Sequence, residues 1–332
     1  MKIPLLALVS SAALLGAVDG RVVNGATGKP QAGAAVNLVA MGGAGMDTQG
    51  SVKADAEGRF SFPQTPQGPV LLQVTHQGVT YSLVLQPGTP PTGLTLEVFD
   101  ASSRRGSAKV VEDVVLLEPL GTELSVREHV IWQNDGKATY HDTAAGTFRF
   151  FAPPEAKSTL RVTAVAPGGL PVEQAATPAG LPDVFKIDFP VKPGETNFEV
   201  SYRLPFSAPG AFTGRAIQTD APVRLAVPEG VVLRGDGIAA IGQDPLSRAL
   251  VYSVKTARYT VQIEGSGAMP SAAADAEDAG SGLNQILPRI YGSVVPILGL
   301  AFLILALGFV LLYRKPAPVT TPKPPSPQSR KR

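Results

Sequence analysis

Thr27-Gly28-Lys29-Pro30 before Ala34-Ala35-Val36-Asn37-Leu38, and Asp55-Ala56-Glu57-Gly58 before Arg59-Phe60-Ser61-Phe62, are the segments that set the fold class. In each, a turn leads into a run where apolar and polar residues alternate. Gly28, Pro30, Asp55 and Gly58 supply the turn chemistry. Side chains two apart share one face of a strand, so Phe60 and Phe62 point together into a core. The same pattern extends both ways. Strands are predicted at Val18–Val23, Ala34–Ala40, Ser51–Asp55, Arg59–Phe62, Val70–His76 and Val79–Leu85. No useful helical period precedes residue 283. The chain is therefore read as all-β, with a first β-sandwich over 18–88.

These residues carry a family resemblance. Gly20-x-Val22, Thr27-Gly28-x-Pro30-x-x-Gly33-Ala34-x-Val36-x-Leu38, Asp55-x-x-Gly58-x-Phe60-x-Phe62 and Gly68-x-x-x-Leu72-x-Val74 resemble the carboxypeptidase regulatory-like domain. The resemblance implies a transthyretin-like sandwich and a non-catalytic module, of the kind that accompanies zinc peptidase domains. It covers about a fifth of the chain. Met41 to Gly50 departs from it and reads as an inserted Gly-rich loop. Some relatives have carbohydrate-binding-like folds, so sugar binding is a fold-level alternative.

Pro87 to Gly93 reads as a stiff linker or a long turn. A second set of strands fills 94–265, including Val110–Leu117, Leu124–Trp132, Thr147–Phe151, Thr159–Val165, Val184–Phe189, Asn197–Leu204, Val223–Val227 and Tyr259–Ile263. Its pattern is immunoglobulin-like or fibronectin-like. One large sandwich, or two small ones split near Pro205–Pro209, would fit. The chain has 35 glycines and 31 prolines in 332 residues. That share lies below the roughly 25–30% typical of disordered low-complexity chains.

The two ends read as a membrane address. Lys2 and the apolar run Ile3–Leu15 resemble a signal peptide over 1–17, too short for the roughly 20 residues a spanning helix needs. Ile290 to Tyr313 carries no charge and, as a helix at about 1.5 Å per residue, would cross the bilayer with some tilt. Residues 266–289, rich in Ala, Ser, Gly and Asp, read as a flexible stalk, and 314–332 as a basic, Pro-rich tail. Arg314, Lys315, Lys323, Arg330, Lys331 and Arg332 follow the span without an acid, which keeps the tail cytoplasmic and the N-terminus outside. The stretch 18–289 holds all 27 acids against 22 of the 29 bases, so the ectodomain is mildly acidic. That leaves no footprint for nucleic acid. A single-pass inner-membrane protein of a bacterial envelope fits, its partners the lipid bilayer and an envelope protein.

The sequence offers little chemistry. With no cysteine there is no disulfide, thiol catalyst or thiolate metal site. His76, His129 and His141 have no metal-ligand spacing, and no His-x-x-Glu pair occurs. A site joining His129, His141 and Asp142 across a hairpin is the sharpest catalytic idea; separate strand-edge histidines are the plainer expectation. Glu112-Asp113 reads as a solvated strand edge or bulge. Arg104-Arg105 reads as a solvated loop, or a protease-sensitive link. Gly42-Gly43-Ala44-Gly45 lacks the Lys-Ser/Thr of a phosphate loop, and Gly265-Ser266-Gly267 lacks the frame of a nucleophile elbow. Trp132, the one tryptophan, is the candidate ligand contact if it is exposed before the Asn134–Gly136 turn. No enzyme activity, cofactor or metal is expected. The address generates a direct prediction: the full chain stays in the membrane pellet after alkaline extraction, whereas a chain truncated after Arg289 is released.

Overall fold

The computed structural model describes residues 18–42, 45–66 and 68–269. Within them the alternating runs form strands. The first module holds β1 (Val18–Asn24), β2 (Ala35–Gly42), β3 (Gly45–Lys53), β4 (Arg59–Phe62), β5 (Val70–His76), β6 (Val79–Leu85) and β7 (Leu94–Val98). Two sheets, ordered β4-β1-β7 and β3-β2-β5-β6, face one another. Val22, Val36, Leu72, Val74 and Val98 are wholly buried between them. Phe60 and Phe62 enter this core together, with ring centroids 6.1 Å apart. Gly20 lies so close to the Leu94 carbonyl and the Phe60 ring that a side chain there would collide with both. Only glycine lets β1 run between β4 and β7.

Two expectations change here. Because β7 pairs in parallel with β1, Pro87–Gly93 takes the long-turn reading over the linker, and the first module ends at Val98 rather than residue 88. Met41 to Gly50 is not an inserted loop: β2 and β3 continue as a hairpin through Gly42 and Gly45, with a register shift between Leu38 and Val39.

The second module starts with β8 (Ala101–Ser102) and the long hairpin β9 (Ala108–Leu120) and β10 (Glu123–Asn134). Next come β11 (Thr139–Tyr140), β12 (Phe148–Phe151), β13 (Arg161–Val165), β14 (Val172–Gln174), β15 (Thr177–Pro178), β16 (Val184–Ile187) and β17 (Gly194–Pro205). The last group is β18 (Gly210–Arg215), β19 (Val223–Val227), β20 (Val232–Arg234), β21 (Ile238–Gln243), β22 (Leu250–Val254) and β23 (Arg258–Glu264). Eight strands, β14-β13-β17-β10-β9-β19-β22-β21, make one sheet. The three-stranded sheets β12-β16-β15 and β18-β23-β20 share its core.

The choice between one sandwich and two resolves into both a division and a fusion. Residues up to Pro205 build one half and residues from Gly210 the other. Parallel pairing of β9 with β19, from Val223 opposite Asp113 to Ala226 opposite Leu116, joins them into a continuous sheet. A single core follows, holding Phe148 and Phe198 from one half and Phe212 and Val261 from the other.

Among the described residues no helix is long and apolar enough to cross a membrane. The predicted leader 1–17, span 290–313, tail 314–332 and most of the 266–289 stalk lie outside the described residues.

Phe198 is fully buried and stacks on Phe148 at 4.5 Å between centroids. Phe198→Ala should cost about 3–5 kcal/mol, the usual range for emptying such a site. Because the core is shared, urea titrations followed from either half of the module should shift together.

Candidate functional site

The chemistry of the described residues gathers at the seam between the modules. Tyr81 alternates inward with Val79 on β6, so its ring lies in the first core. Its hydroxyl reaches the seam, donating to the Phe99 carbonyl at 2.8 Å and lying 2.8 Å from Thr139 Oγ1 of the second module. Burial raises the Tyr81 pKa above its ordinary value. Beside it, Asp100 Oδ1 accepts from His76 Nε2 at 2.9 Å and Gln77 Nε2 at 3.0 Å. These polar contacts tie the end of β5 and the start of β6 to the strand that opens the second module.

A groove runs along this seam. One lobe, about 470 Å³, is lined by Ser82, Leu83, Thr95, Glu97 and Pro193 among others. The other, about 350 Å³, is lined mainly by apolar groups, including Leu71, Leu170, Val172, Phe189 and Met46. Ser82, Pro167 and Lys192 line both, so the lobes meet there. Leu71 points away from the first core yet is only 4% exposed, sharing its lobe with Phe189 and Leu170. Lys192 Nζ donates to the Thr80 carbonyl at 2.5 Å and sits 5.0 Å above the Tyr81 ring. Burial pulls the Lys192 pKa down to about 8. No described carboxylate forms an ion pair with it.

A second polar cluster lies inside the eight-stranded sheet. Val111 bulges out of β9 because Glu112 pairs with Ile131 while Val110 pairs with Trp132. The extra residue resets the alternation, and Asp113 turns into the core. The solvated reading of Glu112-Asp113 holds for neither residue in full: Glu112 is half-buried and Asp113 is 2% exposed. Asp113 Oδ1 has no hydrogen-bond partner. Burial pushes its pKa up to about 7. Glu128, inward on the neighbouring strand, is raised well above the ordinary carboxylate range by burial and then by the Asp113 charge. Glu128 lines a void of about 10 Å³ with Tyr202, Tyr259 and Arg215. That is room for a single water molecule at most, not for a substrate.

The other sequence candidates scatter. Trp132 is enclosed at 2% exposure, stacked on Tyr140 at 5.8 Å with the Arg105 guanidinium 4.2 Å above its ring. It faces the core because it follows Val130 by two on β10, so the exposure on which a ligand contact there depended is not met. Arg105 is no loose link either: it also forms a two-point ion pair with Asp220. His129 stands on β10 opposite Val114 and Glu199. His141 Nε2 lies 2.9 Å from the Asp188 carbonyl, and Asp142 caps its own turn by accepting from the Ala144 and Ala145 amides. Neither lobe of the groove nor the void beside Glu128 is lined by His129, His141 or Asp142, and among the described residues no His/Asp/Glu cluster could hold a metal ion. Lys192 escapes a reading of the sequence because nothing around it in the chain marks it. Only the fold brings Thr80 and Tyr81 beneath it.

The buried carboxylates give a pH dependence of definite sign. Below about pH 4 both folded and unfolded chains hold the Asp113 proton. As pH rises toward 7 the unfolded chain loses it while the folded chain keeps it, so stability falls across this window. The loss amounts to roughly a few kcal/mol, since each tenfold difference in proton affinity between the two states is worth about 1.4 kcal/mol. The urea midpoint should therefore be higher at about pH 5 than at about pH 8, and Asp113→Asn with Glu128→Gln should flatten the difference.

Comparison with known proteins comes to bear on the first module. No curated protein matches the chain. Solved structures similar to it include the M1 zinc metallopeptidase from Deinococcus radiodurans, at 11% identity and a TM-score of 0.25, covering 47% of this chain and 42% of that one. A mutant of that enzyme, free and with a peptide substrate, matches at 12% and 13% identity, also with TM-scores of 0.25. The chain thus spans less than half the length of that enzyme, and so loose a superposition assigns neither fold nor chemistry. Residues 17–99, which contain all seven strands of the first sandwich, match the family described as the carboxypeptidase regulatory-like domain.

Proposed function

We propose that this chain is a non-enzymatic, membrane-anchored protein of the cell envelope whose β ectodomain binds a partner protein through the groove at the module seam. The groove is the observation that carries the reading. It is open, lies between elements of both modules, and combines an apolar lobe with a cation that lacks a carboxylate. Met46, Leu170 and Val172 along it are 62%, 41% and 47% exposed. Apolar side chains gathered at one exposed place mark interaction surfaces more often than scattered ones do. The single-pass topology, with the N-terminus outside the inner membrane and the basic tail inside, comes from the sequence and completes the proposal. The match of the first module to a regulatory-like family accords with a binding role. The carbohydrate alternative loses its place near Trp132, whose ring lies in the core; through the first module it rests on fold likeness alone.

Leu170→Glu tests the reading. Leu170 is outside both cores, so the variant should fold with an unchanged melting temperature. Affinity capture from detergent extracts should recover a partner with the wild-type chain and lose it with the variant. Identical recovery by both would defeat the groove as the contact surface.

A further inference from the structure

We propose that the groove takes an extended acidic segment of a partner protein, added as a strand along the open edge of β6. This deepens the interaction reading above and rests on it.

Three observations lead there. First, β6 ends the sheet β3-β2-β5-β6, and β7 ends the facing sheet β4-β1-β7. Ser82 and Leu83 of β6 and Thr95 and Glu97 of β7 line the same lobe, so this mouth of the sandwich is an open edge. Second, the register of β6 against β5 is regular from Val79 to Leu85. In an antiparallel pair, alternate residues turn both their N–H and C=O away from the partner strand. The Thr80 carbonyl is one of these, since it accepts from Lys192 across the groove. Ser82 and Val84 share its phase, and their backbone groups face the same open side. An added strand would satisfy them, as in other complexes built by strand addition. Third, Lys192 already stands where such a strand would begin, bonded to the first outward-facing carbonyl. Its ammonium has no ion-pair partner, and although Glu97 lines the same lobe it is not within ion-pair distance. The charge it lacks is a carboxylate on the incoming segment. Beyond Lys192, the lobe of Leu71, Leu170 and Phe189 suits an apolar side chain of the same segment.

The test uses the full chain in detergent micelles with acetyl-Thr-Val-Glu-Val-Thr-amide as probe. Two controls replace Glu by Lys or methylate the backbone nitrogens. Binding is read by titration and by amide exchange at Ser82 and Val84. The Glu peptide should bind at least about tenfold tighter than the Lys peptide, the scale of one charge-assisted contact. It should slow exchange at both amides, and methylation should abolish the effect. Lys192→Met should erase the preference for Glu, and Ser82→Pro, which removes an edge donor, should remove binding. Equal binding of the Glu and Lys peptides, indifference to methylation, or no binding of the Glu peptide at millimolar concentration would overturn the added strand. If partner capture were then still lost with Leu170→Glu but kept with Ser82→Pro and Lys192→Met, the groove would stand as an interface with a different occupant. If none of the three variants affected capture, the interaction reading itself would fail. Concentration-dependent self-association that Ser82→Pro abolishes would assign the edge to a second copy of this chain and overturn the partner.

Discussion

Asn134 is the residue on which the seam depends. It is 3% exposed, and its side-chain amide donates to the Ala138 carbonyl at 2.9 Å and the Val191 carbonyl at 3.1 Å. Val191 in turn exchanges backbone bonds with Tyr140 at 2.9 and 3.0 Å. One side chain thus ties the end of the long hairpin to the segment that carries Lys192. Thr139, one residue before Tyr140, bonds through its amide to the Asp100 carbonyl and through its hydroxyl to Tyr81. A buried amide with unmet donors would cost about 1–3 kcal/mol. The chain between β10 and β11 and the chain before Lys192 are therefore held to one geometry. The groove inherits its shape from that node.

The strands are legible in the sequence because most of them have one buried face. A period of two survives wherever a sheet has a core side and a water side, and the runs around Phe60, Val74, Val126 and Val261 all show it. Pairings between strands far apart in the chain stay hidden. Nothing in Leu94–Val98 announces that it will lie parallel to β1, so the Pro-rich stretch before it looks like a boundary between modules. Nothing in Val223–Val227 announces pairing with β9, so one sandwich and two look equally good. Alternation specifies a strand's faces but not its neighbours.

The site is less legible than the fold, for a related reason. Trp132 and Asp113 both mislead, for opposite reasons: one keeps the phase of its strand and the other follows a change of phase. Next to a turn, Trp132 looks free, yet it keeps the inward phase of Val126 and Val130. Asp113 looks solvated beside Glu112, but the bulge at Val111 turns it inward. A carboxylate that would break an ordinary strand pattern here sits among Val110, Val115 and Val130. The turn at Asn134-Asp135-Gly136 is plain from its residues, while the role of Asn134 across 57 residues of chain leaves no local trace.

Lys192 and Asp113 respond to pH in the same sense. Lys192 titrates near 8 and Asp113 near 7, both displaced by burial, one downward and one upward. As pH falls through neutrality, Lys192 first becomes fully charged and Asp113 then becomes neutral. The first change strengthens the cation that faces the groove. The second removes a buried charge from the sheet whose hairpin, through Asn134, holds the Lys192 segment in place. A neutral Asp113 stabilises the second module without altering any contact at the seam, so the scaffold is firmest under the conditions in which its cation is fully formed. Burial alone sets both proton affinities, so the two responses run in parallel without any movement of the chain.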